Sequence, residues 1–267
     1  MPEPQREKAM PRKAEIRANA VGNSIELGST PAQQITVAKV SGWRLLAALG
    51  AGSSAGAGIG TITYFAVHFL APATHPAVLT QVIVVEVYGL LTIAVALAFR
   101  PVSDSPLAFR FTSLSDMALA FGAWLGVLAV SAGAYLLLKP VFGSITDILR
   151  HLLIEGTDVK RLQGQPMAAW AIALPRGCLL APLFEELFFR GAVLQWFRRY
   201  LSDANAILVA AALFAVMHVY PLALPFAFIF GAFTGWIRVR TGSTMNTLCM
   251  HICNNLVFLG LGFWLLR

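Results

Sequence analysis

The chain has 267 residues, of which 57% are hydrophobic and 12% charged, about half the charged share of an ordinary soluble domain, and its mean hydropathy is +0.70. That composition leaves too little polar surface to cover a water-soluble enzyme of 28.8 kDa, so lipid is the solvent for most of the chain. The net charge of +7 does not indicate nucleic acid: seven of the 20 Lys and Arg lie in the first 44 residues and the others stand mostly between apolar runs, as the positive-inside bias of membrane proteins produces.

Residues 1–40 mix Arg6, Lys8, Arg12, Lys13 and Arg17 with Glu3, Glu7 and Glu15 and carry no sustained apolar face, which predicts a disordered cytoplasmic tail. Residues 41–267 are the membrane-embedded domain. Its first apolar run begins near Leu45, after Lys39 and Arg44. That is too late for a cleaved signal peptide, so an uncleaved anchor is expected.

Apolar runs follow at Leu45 to Ala71, Val78 to Phe99, Met117 to Leu138, Met167 to Phe197, Ala204 to Val219, Leu222 to Ile237 and Thr244 to Leu266. With about 20 apolar residues needed per crossing, these predict an all-α polytopic bundle of about seven spans, or eight if the long fourth run breaks. Loops holding Arg100 and Arg110, Arg198 and Arg199, and Arg238 and Arg240 alternate with nearly uncharged ones, which places the tail and the Arg loops in the cytoplasm. Between the third and fourth runs, Val141 to Gln165 carries Ile145, Ile148, Leu149 and Leu152 at helical spacing beside Arg150, Lys160 and Arg161. An amphipathic helix in the interface is expected there, with a solvated loop as the alternative. Trp196, Trp236 and Trp264 stand near run ends, as belt residues do. Cys178, Cys249 and Cys253 lie in apolar stretches without CxxC spacing and read as small buried hydrophobes.

The chemistry is concentrated in the last four runs, residues 167–267. After Arg161 the chain has three acidic residues, and two of them, Glu185 and Glu186, are adjacent inside an apolar run. Each central charge costs about 2.5 to 3.5 kcal/mol on insertion scales, so such groups persist when paired, inward-facing and functional. Glu186 pairs naturally with Arg190 at i,i+4. Glu185 lies about 100° around the helix and needs a different partner. His218, four residues after Phe214, and His251, four before Asn255, are the candidates. Counted from the Arg-bearing ends at ~1.5 Å per residue, Glu185 and His218 lie roughly 20 and 21 Å deep and His251 roughly 12 Å, close enough for three helices to meet in one layer. Elsewhere, Glu86 is expected to bond to a neighbouring helix, His68 is a lone polar group, and Arg176 either snorkels to an interface or lines a cavity.

The segments FEELFFRG at Phe184 to Gly191, FAVMH at Phe214 to His218 and HICNN at His251 to Asn255 resemble, in order and spacing, the EExxxR, FxxxH and HxxxN motifs of the CPBP intramembrane proteases, also called type II CAAX prenyl or Abi proteases. The resemblance covers about Trp170 to Leu259. It implies that Glu185 and His218 activate a water, that Glu186 and Arg190 support the site, and that His251 and Asn255 bind the oxyanion. It also implies a peptide or protein substrate at the bilayer, such as a lipidated protein or a peptide precursor. Glu185, His218 and His251 would also suit Zn2+ as a two-His, one-carboxylate set, but no HExxH helix is present and metal involvement stays open. Pro182, one turn before Glu185, is expected to bend its helix and help open a wet cavity.

Two other function classes compete. A proton-coupled transporter would show paired broken helices in repeated halves, which are absent from the sequence. A non-catalytic bacteriocin-immunity or scaffold protein has no need for a complete set of acid, base and oxyanion donors. The Ala-rich chain without organelle signals suggests a bacterial inner or plasma membrane.

Overall fold

The computed structural model describes residues 42–71, 73–99, 108–110, 112–155, 159–218 and 221–265; the expected tail lies outside them. Each of the seven apolar runs is helical: α1 (Gly42–Leu70), α2 (Pro76–Phe99), α3 (Leu114–Leu137), α4 (Met167–Phe197), α5 (Asp203–Met217), α6 (Leu224–Thr241) and α7 (Thr244–Leu265). No strand occurs among the described residues. The protein is an all-α, multi-pass membrane bundle. Among the described residues, five helical stretches, Pro76–Ala98, Leu114–Leu137, Met167–Phe197, Pro221–Thr241 and Thr244–Leu265, are long and apolar enough to cross a bilayer, fewer than the seven expected; α1 and α5 are not among them. The fourth run does not break into two spans.

The fifth run departs from the expectation of a full crossing. Its helix, α5, holds 15 residues, a rise of about 22 Å against a hydrocarbon thickness of about 30 Å. Ser202 caps its start by accepting from the Asn205 amide at 3.4 Å, and it stops one residue before His218. The apolar pattern continues to Val219, so hydropathy did not mark this end.

Helices α1 and α2 form a hairpin joined through Gly52, Gly56 and Gly60, where added Cβ atoms would stand 2.9 to 3.3 Å from Ala94, Val87 and Ile83. Small residues at this spacing let membrane helices pack at close range. Thr63 of α1 donates to the Glu86 carboxylate at 2.8 Å, the inter-helix bond expected for that glutamate. Helices α5 and α6 pair, α6 also packs on α3, and α4 lies between α2 and α7.

The segment between α3 and α4 is helical in short pieces, Lys139–Phe142, Ile145–Arg150, a π-helical turn His151–Glu155, and Val159–Leu162. Its apolar side turns onto the protein: Ile148 and Leu152 are buried with Tyr135 against Leu222, Phe226 and Phe258, while Leu149 is half exposed. The Tyr135 hydroxyl donates to the Leu222 carbonyl. At Gly262 of α7 the segment comes so close that any Cβ would run into the Leu153 carbonyl.

Candidate active site

Helix α4 holds both glutamates and is irregular around them. Pro175 and Pro182 lack the amide hydrogen that α-helical bonding requires, and π-helical turns follow at Arg176–Leu180 and Glu186–Val193. The Ala181 amide bonds back five residues to the Arg176 carbonyl. In that register the next donor would be residue 182, pointing to Gly177, but Pro182 has none to give. The Asn255 side chain of α7 donates to the Gly177 carbonyl instead, at 2.9 Å. Such π turns are rare and concentrate at functional sites.

Glu186 is wholly buried and Arg190 is 2% exposed. Their ion pair, 3.1 Å from Arg190 Nη1 to Glu186 Oε1, is the one the i,i+4 spacing predicts. Burial of such charges is tolerable only with further partners. Arg190 also donates to the Thr234 hydroxyl of α6 and stacks on the Phe214 ring, 4.4 Å from its centroid. The Gln195 amide donates to the Arg190 carbonyl at 3.2 Å.

His251 of α7 joins the two glutamates. Its Nδ1 lies 2.8 Å from Glu186 Oε1 and its Nε2 lies 3.7 Å from Glu185 Oε2. An ionised carboxylate only accepts, so Nδ1 carries a proton and Nε2 faces Glu185. The angular separation of the two carboxylates on α4 is thus matched by the two nitrogens of one ring. Glu185 keeps 20% side-chain exposure, and its buried Oε2 has no hydrogen-bond partner among the described residues.

His218 stands at the broken end of α5. The last carbonyls of a helix lack intrahelical donors, and His218 Nδ1 satisfies one of them, the Phe214 carbonyl, at 2.8 Å. A carbonyl cannot donate, so Nδ1 is the protonated nitrogen and the neutral ring has its lone pair on Nε2. The four-residue spacing of FAVMH therefore sets a tautomer. Phe214 itself contacts the rings of Phe189 and His218 at 5.0 and 4.6 Å.

A cavity of about 270 Å³ is bordered by Glu185, His218, His251, Asn254 and Asn255, with Phe214, Phe226, Phe230 and Phe258 as apolar wall. Arg161 and Leu152 of the α3–α4 segment also border it. All six residues singled out in the sequence are accounted for: four line the cavity, and Glu186 with Arg190 lies behind His251. Arg176 is not among its lining; it donates through Nε to Gln81 of α2 at 3.0 Å. Sequence reasoning missed Thr234, a single hydroxyl in an apolar run, and Asn254, whose place beside Asn255 was the available signal.

Among the described residues there is no group of three or more His, Cys, Asp or Glu side chains that could hold a metal ion, although Glu185, His218 and His251 border the same cavity. His251 Nδ1 and His218 Nδ1 are both taken by protein oxygens.

Residues 167–257 match the family described as type II CAAX prenyl endopeptidase Rce1-like. Over this segment the chain is similar to that protease family. The match covers α4 to most of α7, the helices that hold all three motifs, and leaves α1 to α3 outside. No curated protein and no solved structure gives a significant match to the chain.

Proposed function

We propose that this protein is an intramembrane endopeptidase that hydrolyses a peptide bond of a membrane-associated substrate, such as a CAAX-type lipidated protein or a peptide precursor. The observation that carries the reading is His251, whose ring stands between Glu186 and Glu185 at the wall of a cavity that His218 and Asn255 also border.

In this mechanism Glu185 Oε2 and His218 Nε2 hold a water in the cavity. Glu185 takes one proton as the water oxygen bonds to the scissile carbonyl carbon, and the carbonyl electrons move onto oxygen. His251 through a protonated Nε2, and Asn255 through its second amide hydrogen, donate to that oxyanion. The C–N bond then breaks and the leaving nitrogen takes the proton from Glu185. General base catalysis of this kind supplies roughly 10²- to 10⁴-fold, and one preplaced oxyanion donor about 2.7 to 4 kcal/mol. Glu186 and Arg190 act on the ring from behind, fixing its orientation and its Nδ1 proton. The protein works in a bacterial inner or plasma membrane with its N-terminus in the cytoplasm, the arrangement that the Arg-bearing loops favour.

The test compares wild type with Glu185→Ala and His218→Ala, all purified in detergent, on quenched-fluorescence membrane peptides and a prenylated CAAX peptide. Cleavage by wild type and loss in both variants is expected. Variants that cleave like wild type would refute the assigned roles.

A further inference from the structure

Asn255 sits at the end of a chain of side chains that begins outside the family-matched segment. The Trp124 indole of α3 donates to Asn254 Oδ1 at 3.3 Å. Asn254 Nδ2 donates to Asn255 Oδ1 at 3.3 Å, and Asn255 Nδ2 donates to the Gly177 carbonyl at 2.9 Å. Trp124 is 8% and Asn254 6% exposed, so water does not compete freely for these groups.

The direction of this relay is fixed by its ends. An indole N–H only donates and a backbone carbonyl only accepts, whereas an amide can face either way. With a donor at one end and an acceptor at the other, both amides must present oxygen towards Trp124 and nitrogen towards Gly177. Flipping either would set N–H against N–H or oxygen against oxygen. Each Nδ2 is left with one further hydrogen, and both asparagines border the cavity.

We propose that Trp124 and Asn254 are positioning residues for Asn255, fixing its amide so that the second Nδ2–H is preplaced for the oxyanion. This rests on the endopeptidase reading above. It assigns part of the catalytic geometry to α3, through a tryptophan that lies 130 residues from its partner. The alternative is a plain structural pin between α3 and α7, which would act on folding and on substrate binding alike.

The experiment uses the full chain in detergent with Trp124→Phe, which keeps most of the ring and removes the donor, together with Glu185→Ala, Asn255→Ala and the Trp124→Phe/Asn255→Ala double variant. Loss of an oxyanion donor costs roughly 10²- to 10³-fold, so misorientation of one should lower kcat by roughly tenfold. KM should stay within about twofold, and a phosphonate transition-state analogue should bind more weakly by the factor lost in kcat. The double variant should be no slower than Asn255→Ala alone, because residues acting as a unit are not additive. Wild-type kcat in Trp124→Phe, additive losses in the double variant, or an equal loss of substrate and analogue affinity would overturn the proposal. Should Trp124→Phe fail to fold, Asn254→Ala cuts the same relay and is read in the same way. A folded wild type that cleaves nothing, or a Glu185→Ala variant that cleaves like it, refutes the endopeptidase reading and this proposal with it. Failure of the relay alone shows instead as active wild type, inactive Glu185→Ala and unaffected Trp124→Phe.

Discussion

The Arg190 guanidinium carbon lies 4.4 Å from the centre of the Phe214 ring, so the first residue of FAVMH is the platform for the last charge of EELFFR. Both are buried. A desolvated cation–π contact is worth about 2 kcal/mol. Phe214→Leu is therefore expected to lower stability by about 2 to 3 kcal/mol, the ring contact plus imperfect repacking, and to slow cleavage. Denaturant or thermal unfolding in detergent measures the first effect, and an unchanged transition would show that Arg190 does not depend on the ring.

The two glutamates should separate stability from activity. Glu186→Gln leaves Arg190 buried opposite a neutral group, and breaking a buried pair costs about 3 to 5 kcal/mol, so poor folding is expected. Glu185→Gln alters a largely buried carboxylate, 20% exposed, whose Oε2 has no hydrogen-bond partner among the described residues. It should stay within about 1 kcal/mol of wild type, the range of substitutions that break no buried pair, yet lose at least about 10²-fold in rate. Melting curves and initial rates on the same preparations would decide, and the reverse pattern would exchange the assigned roles.

Thr234→Val removes the hydroxyl that accepts from Arg190 at nearly constant volume. Hydrogen bonds to charged groups contribute about 1.5 to 3 kcal/mol, and a loss in that range is expected on unfolding. Thr234→Ser should recover most of it. Equal stability of all three proteins would remove Thr234 from the support of the site.

At Gly262 the α3–α4 segment leaves no room for a Cβ beside the Leu153 carbonyl. Gly262→Ala should raise the helix propensity of α7 yet cost about 1 to 3 kcal/mol by overpacking. Because Leu152 borders the cavity, the displaced segment should also raise KM. A neutral or stabilising result would show that the segment moves aside freely.

Under the glutamate and histidine mechanism proposed above, cleavage should persist in a strong zinc chelator. Rates with and without 1,10-phenanthroline give the comparison, with restoration by added Zn2+ as the contrary outcome.

The positions of the helices and the Glu186 to Arg190 pair were legible because each rests on local spacing: apolar runs of span length and an i,i+4 contact. The meeting of Glu185 with His251 was legible only as a shared depth. The end of α5 was hidden because Val219 continues the apolar run past the last helical residue, and Pro221 was the sole nearby breaker. The π turns were hidden because their bonding reaches five residues back, which apolar periodicity in an all-apolar helix does not report. Thr234 and Trp124 were out of reach for another reason. Each meets its partner across 44 or 130 residues, and no local pattern encodes such a contact.

The proline at 182 and the amide at 255 form a single exchange, one residue withdrawing a backbone donor and the other replacing it. Their mutational effects should accordingly be epistatic. Asn255→Ala orphans the Gly177 carbonyl only while residue 182 is proline, so a Pro182→Ala background should soften its folding defect while leaving its catalytic defect untouched. The exchange is therefore one-sided: position 182 can regain its backbone donor while Asn255 is kept for the oxyanion, whereas the catalytic loss of Asn255 is not repaired by any residue at 182.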